Sequence, residues 1–522
     1  MKKVLSILLA VLMVASMFSV MSFAEEVEEI EKKVSTFYAG GAKAVTSVGG
    51  SNGRNDQKGF AFSCFDLEGK GGNRVIPAIN KEVESGNFSA VEIVVVGNST
   101  SAIEFEGLVG SEETPIIIKI KEGDAVSRPV FSSVDLEKNA PAIMVKDCEN
   151  VTISGISVTK SIYSGIKVEN CTNVAFKNVE FKEVGYTDYE LPSVAEDGTE
   201  TFPNMETADL LAKGAALLIG EGNTDITVDG CIFDQCRAGV VVDSTKLEVE
   251  EDPAEPAPAA EGEEGAEEPA APVVTSGVSV LNCNFTNINE AAVILNSADD
   301  VLVSGGKATK VGTLAAAQDY DGTAVAVVKV NGSKDAVVEK MFSSFNEAFV
   351  NFADSTGKVR FNVSDNDGAG SIGAGVLVYN NTFVNASALD IATAKNNIFA
   401  MLIGEKVKVA DGEANCYYWT SKGDKNSIKK NPKFANAFDG STEGQDPIDN
   451  YRLSTISPCL GKGVKVEDDM GTTDFYGNEI GASINIGADQ GAGAEATTEI
   501  VSDFVDFFNY IIAVIKNFLG IK

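Results

Sequence analysis

Apolar residues recur with a period of two inside a longer repeat. Two consecutive units, AIMVKDCENVTISGISVTKS (142–161) and GIKVENCTNVAFKNVEFKEV (165–184), carry the pattern most clearly. Ile143, Val145, Val151, Ile153, Ile156 and Val158 match Ile166, Val168, Val174, Phe176, Val179 and Phe181, each pair 23 residues apart. Each unit reads as three short alternating strands divided by Asn, Gly or Asp turns. A third unit covers 216–236, a fourth is split between 239–243 and 277–289, and a fifth begins at Ala291. Cys231 and Cys283 occupy the site of Ile156 and Val179. A repeat of about twenty residues with three strands and no helical period predicts an all-β chain, the coils of a parallel β-helix. One coil cannot bury its apolar face alone. Stacked coils can, and each buried Val, Ile, Leu or Phe then contributes roughly 1.5–3 kcal/mol.

The same scheme continues downstream. LVYNNTF (377–383) is followed by KNNIF (395–399). Asn at equivalent turns stacks its side-chain amide along the axis and tolerates left-handed backbone, so this pair predicts structure before chemistry. Two insertions interrupt the array. Residues 186–213 follow the third strand of one coil, and 246–274 follow the first strand of another. The second has ten acids between Glu248 and Glu268, a composition that predicts a solvated, disordered loop. Such a loop serves either as tolerated surface or as a calcium buffer.

The ends differ in kind. Residues 1–24 have Lys2 and Lys3, an apolar run from Val4, and Ser22-Phe23-Ala24, the pattern of a cleaved secretory leader; an uncleaved anchor is the alternative. Residues 25–84 are read as an N-terminal cap, 85–492 as the β-helix, and 431–492 as its closing module. In the tail, Ile500, Phe504, Phe507, Ile511, Val514 and Phe518 step by four and three. This predicts an amphipathic helix over 493–522 that contacts a membrane, the cell envelope or another subunit.

Composition narrows the chemistry. The 522 residues include 76 Asp and Glu, 42 Lys and Arg, and no His, for a net charge of −34. No histidine triad or imidazole metal site can exist. Nucleic acid is excluded as a partner, because phosphate contact needs clustered cations. An acidic substrate needs a bridging cation or a local basic site. The eight cysteines lack a CxxC spacing, so zinc is not indicated. An exported chain permits disulfides, while a buried thiol already accounts for those at repeat positions.

The coil text GIKV…NVAFKNVEF, the NNTFVNA and NNIFA pair, and a C-terminal segment of NPKF (431–434), YRLSTISPCLGKG (451–463) and TDFYGNEI…NIGADQ (473–490) together resemble a known group. It is the secreted right-handed parallel β-helix proteins of the pectate-lyase-like superfamily, distantly the family-nine pectate lyases. The resemblance implies a polysaccharide lying along the outward face of the first strands, where this chain has Met144, Lys167, Leu218, Val241 and Ile294. Four of these are apolar, which suggests a covered strip or an interaction surface. The resemblance also implies calcium-dependent β-elimination, which needs a base near the C5 proton and a cation that acidifies it. Lys167 is the best-placed base, with Arg237 and Asp243 completing a small polar site. Calcium candidates are Asp299 and Asp300 in a turn, and Asp319 and Asp321 in DYDG; the latter departs from the family's DDGxD motif at Tyr320 and Ala324. Asp365 with Asp367 in SDNDG is a further calcium candidate, although SDNDG lacks the downstream bidentate Glu of an EF-hand loop, and both DYDG and SDNDG read more simply as Asx turns. Asp474 and Asp489 read as turn and capping residues of the last coil.

The expectation is therefore an exported or cell-surface β-helix that interacts with polysaccharide, as a lyase or an inactive relative. The alternative is a non-enzymatic adhesion protein that uses the coils as a spacer.

Overall fold

The computed structural model describes residues 33–40, 59–61, 72–120, 130–132, 141–161, 163–185, 193–194, 200–201, 215–244, 273–312, 325–386, 388–400, 406–420, 423–435, 447–467 and 470–495. The leader, the 498–522 tail, Asp319, Asp321 and most of the acidic insertion lie outside these ranges.

The strands stack in parallel in the register that the repeat predicts. Ile143–Lys146 pairs with Ile166–Glu169, Ile143 opposite Ile166. Glu149–Ser154 pairs with Thr172–Lys177, Val151 opposite Val174. Ser157–Thr159 pairs with Glu180–Lys182. The third strands form an 11-stranded sheet running from Val130–Phe131 to Cys416–Tyr418, and the first and second strands belong to one 22-stranded sheet. The chain is a right-handed parallel β-helix, with eleven third strands stacked among the described residues.

Inward side chains make continuous columns. Phe181, Phe233 and Phe285 stack face to face at 4.9 and 4.7 Å, and Phe383, Phe399 and Tyr417 repeat the motif at 5.6 and 5.3 Å. Both insertions leave the register intact. Phe181 still meets Phe233 across the first, and Val228 meets Val280 across the second.

The turns have their own columns. Asn150, Asn173, Asp225, Asp300 and Asp335 begin successive second strands with φ between 51° and 56°, and Gly277 stands between them at 69°. Asn and Asp adopt this left-handed region at least cost among residues with a Cβ. At the next turn, Ile156, Val179, Cys231 and Cys283 point inward and are buried. Further along, the same column becomes Asn362, Asn381, Asn397 and Asn415, each with no exposed surface. The NNTF and NNIF motifs split their work here. Asn380 and Asn396 take the left-handed turn, at φ 54° and 56°. Asn381 and Asn397 form the amide ladder.

The outward face of the third strands changes along the axis. Early coils show Glu180 and Lys182, then Asn284 and Thr286. Later coils show Phe342, Val363, Val384, Ile398, Ala400 and Tyr418. Onto this apolar stretch the closing module packs Phe434, Tyr451, Leu453, Cys459 and Ile486. The seven cysteines among the described residues are buried free thiols.

At the other end, helix α1 (Gly72–Glu84) buries Val75, Ile76, Ile79 and Val83, a one-sided helical spacing. Asn80 ties it to the first coils, donating to Gly107 O at 2.8 Å and accepting from Val109 N at 3.1 Å. Lys33–Gly40 pairs in parallel with Phe88–Val96, so stacking begins before residue 85. No described helix is long and apolar enough to cross a membrane.

Candidate functional site

The outward first-strand positions form one ladder in space. Met144, Lys167, Leu218, Val241, Ile294 and Lys329 lie opposite one another in that order. Leu218, Val241 and Ile294 are buried, and with Ala215, Ala238 and Ala291 they make an apolar cluster outside the coil interior. The covered strip expected from the sequence is present at these three positions.

Lys167, Arg237 and Asp243 are dispersed along this face. Lys167 Nζ lies 2.5 Å from Glu169 Oε1 on its own strand. Arg237 precedes the strand Ala238–Asp243 and Asp243 ends it, a span of about 20 Å at strand rise. Arg237 faces Glu290 at 3.8 Å. Asp243 accepts from Asn296 Nδ2 at 3.3 Å, and Asn331 donates to Asn296 Oδ1 at 3.0 Å, so Asp243 heads a small amide ladder. Lys167 sits two coils away, about 10 Å along the axis. The three do not converge on one point.

Of the calcium candidates, Asp300 is one of the left-handed turn residues, and Asp299 makes the bridge pairing on either side of it. Among the described residues, no three His, Cys, Asp or Glu side chains group so as to hold a metal ion. Asp299 and Asp300 contribute two carboxylates toward the six to eight oxygens that calcium takes. Asp365 and Asp367 have other partners. Asp367 accepts from Ser343 and Ser364 hydroxyls at 2.6 Å and from Asn346, and Asp365 accepts from Tyr451 at 2.7 Å. Burial pushes Asp367 up to about 6 despite those donors. Asp474 and Asp489 bind backbone and side-chain N–H groups of the closing module, among them Asn478, Gln490 and Leu453.

A charged group absent from the sequence reading lies on the second strands. Arg360 Nε is 2.7 Å from Glu339 Oε2, Arg360 Nη1 donates to the Tyr379 hydroxyl at 3.0 Å, and Tyr379 donates to Glu467. Lys358 pairs with Glu467 at 2.8 Å. Tyr379 has no exposed surface, and burial followed by its bond to Glu467 raises its pKa. It can neither touch a polymer nor act as a base. The group fastens the closing module to the coils.

The remaining candidate is a pocket of about 630 Å³ at the C-terminal end of the stack. Its lining joins three chain segments: Tyr418 and Trp419; Lys429, Lys430 and Lys433; and Ile456 with Pro458. The rings of Tyr418 and Trp419 stand 5.3 Å apart at 45°. Trp419 follows the last third strand, and its φ is 59°. In earlier coils the same turn position holds Lys160, Glu183, Gln235, Asn287, Lys310, Phe345, Asn366 and Asn385, all with φ between 53° and 58°. The left-handed backbone belongs to this turn along the whole described stack, and Trp419 is its last described member. Beneath it, Tyr417 donates to Asp424 Oδ2 at 2.7 Å; burial first, and Asp424 second, keep that phenol protonated. Ile456 is 62% exposed at the rim. The pocket thus offers the Trp419 ring, an exposed aliphatic group and ammonium groups, the mixture of a small-molecule or glycan site.

No protein-family model matches the chain, and no curated protein does. Among solved structures, a lacto-N-biosidase of Eubacterium ramulus is similar at 11% identity, covering 73% of this chain and 67% of its own, with a TM-score of 0.42. An alginate lyase of a Paenibacillus species is similar at 11% identity, covering 68% and 96%, TM-score 0.36. The surface protein and adhesin PfbA of Streptococcus pneumoniae is similar at 13% identity, covering 70% and 97%, TM-score 0.37. At identities this low, the chain's own strand register defines its fold.

Proposed function

We propose that this is a polysaccharide-interacting β-helix protein of the cell exterior, and that it engages glycan as a binder at the C-terminal pocket. The observation that carries the reading is Trp419, the chain's one tryptophan, on the pocket wall beside Tyr418 and the lysines. The C–H face of a sugar ring is apolar and slightly positive, and it complements the negative face of an aromatic ring. Neighbouring lysines would fix orientation through hydroxyl and acid groups. The leader-like pattern of residues 1–24 supports an exported location.

β-Elimination at Lys167 is not part of this reading. Its ammonium is engaged by Glu169, and Arg237 and Asp243 lie apart from it.

The test is a binding screen against neutral and acidic polysaccharides, with and without calcium, on the full chain and on Trp419→Ala. Binding that drops at least tenfold in Trp419→Ala is the expected result. No binding to any polymer, or binding indifferent to Trp419, overturns the reading.

A further inference from the structure

The pocket's charge is out of keeping with the rest of the chain. The whole protein carries −34, yet Gly423 to Lys433 contains Lys425, Lys429, Lys430 and Lys433 against a single acid, Asp424. Lys425 is drawn to Glu413 at 3.2 Å. Asp424 is turned inward, its Oδ2 accepting from Asn415 at 2.5 Å and from Tyr417. Lys429 and Lys430 are exposed on the pocket wall, and no carboxylate among the described residues pairs with either. Lys433 lines the same wall from the next turn.

Unpaired lysines are ordinary on a basic surface. This acidic chain carries others as well, Lys177, Lys182 and Lys334 among them; Lys429 and Lys430 differ in that both stand on one pocket wall with Trp419. The packing explains why these two stay apart. Residues 425–428 add a partial coil, with Ala414 N donating to Lys425 O and Tyr417 N to Ile428 O. The chain then turns at Asn431, whose Oδ1 accepts from Lys433 N at 2.8 Å. Lys429 and Lys430 are thereby carried past the acids of the second-strand face to the rim beside Trp419.

We infer that the pocket selects an anionic saccharide unit and binds its carboxylate or sulfate directly through Lys429 and Lys430, without calcium, while Trp419 stacks on the ring. This rests on the reading of the pocket as a glycan site and adds the charge class of the ligand. It also meets the requirement that an acidic ligand of this acidic chain needs a local basic site. A second consequence is geometric. The remainder of the surface repels a polyanion, so contact is confined to this end, and a few sugar units suffice for full affinity. Ammonium–anion attraction at an exposed rim is screened by salt, so binding weakens as ionic strength rises.

The experiment uses the full chain and two matched probes: polyglucuronate oligosaccharides and the same oligosaccharides after methyl esterification, which removes the charge and adds one methyl group per unit. Calorimetry is run with EDTA, at low and at high sodium chloride. The expected result is at least tenfold tighter binding of the carboxylate form, unchanged by EDTA and weakened by salt. In the double variant Lys429→Gln and Lys430→Gln that preference should vanish while binding of the esterified form persists. Both residues are exposed, and circular dichroism checks that the fold is retained. Equal binding of both probes, lost in Trp419→Ala, overturns the charge selectivity and leaves the glycan reading standing. Binding of the carboxylate form that requires calcium overturns direct recognition. Failure of both probes, with neutral polymers bound in the wider screen, also overturns it. Failure of every glycan defeats both readings together.

Discussion

Asn381 makes two donations to one oxygen of Asn397: its backbone N–H reaches Asn397 Oδ1 at 2.9 Å, and its side-chain amide reaches the same atom at 3.0 Å. Asn397 repeats this onto Asn415 Oδ1 at 2.8 and 3.1 Å, and Asn362 does so onto Asn381 at 2.9 Å for both bonds. Each amide also donates to a backbone carbonyl, Asn397 to Val378 O at 3.0 Å. Every polar atom of a fully buried side chain is thereby satisfied. Asn397→Ala would strand the Asn381 backbone N–H and remove the amide's donations to Val378 O and Lys395 O, while Asn381 Nδ2 keeps Val359 O and Tyr379 O, and Asn415 Oδ1 keeps the residue-397 N–H. An unsatisfied buried group costs about 1–3 kcal/mol, and a loss of that order is expected in urea unfolding. A loss below about 0.5 kcal/mol would mean that the ladder is incidental.

Asp367 gives the pH dependence. Its folded value lies near 6, above the ordinary 3.8, with burial as the main cause. The native state therefore holds the proton more tightly than the unfolded chain. Stability from this group is complete below the ordinary value and falls as pH rises through about 6. The difference corresponds to about 3 kcal/mol across that window. Asp365 and Asp489 shift the same way, burial again leading. Asp367→Asn keeps acceptors for Asn346 and supplies donors to Ser343 and Ser364. Its unfolding midpoint should therefore vary less between pH 4 and pH 6.5 than that of the parent. Parallel curves for the two proteins would contradict the assignment.

Arg360 should be the clasp of the closing module. Its guanidinium and the Glu339 carboxylate are each largely buried, and the Tyr379 hydroxyl links it to Glu467. Removing one partner of a buried pair costs roughly 3–5 kcal/mol, since the other charge stays behind. Arg360→Ala is expected to expose residues 464–475 to limited proteolysis while the early coils remain resistant. Tyr379→Phe should do the same more weakly. Cleavage indistinguishable from the parent would show that Phe434, Tyr451 and Leu453 hold the module unaided.

Lys167→Ala provides a control on the first-strand face. The Lys167–Glu169 pair is about one-third exposed on both sides, and pairs of that kind contribute roughly 0–1 kcal/mol. Little change in stability and none in glycan affinity is expected. A large loss of affinity would move the binding face to the first strands.

The coil register was legible because side-chain period and repeat length point the same way: Ile143, Ile166 and their partners are both alternate in the strand and 23 apart in the chain. The apolar outward strip at Leu218, Val241 and Ile294 followed from that alternation once the inward set was known. The packing of the closing module was harder to read. Phe342, Ile398 and Tyr418 face outward, and the sequence shows only that they are apolar. The pocket was not legible, because Trp419, Lys430 and Ile456 come together through the end of the stack and no spacing links them. The chain's one tryptophan, immediately after the aromatic pair Tyr417 and Tyr418, was the available signal. The Arg360 group escaped for a related reason. Glu467 joins it from more than a hundred residues downstream.

The backbone bonds between coils, the Asn ladder and the stacked rings all point along the long axis. A force applied along that axis would load these interfaces head-on and in series, each coil bearing the full tension and the weakest yielding first. The clasp at Arg360 and Glu467 does not lie in that series. It runs across several coils, from Glu339 to Tyr379, and joins them in parallel. A stack so built would lengthen stepwise under pull from its amino-terminal side, with the coils nearest the pocket the last to part.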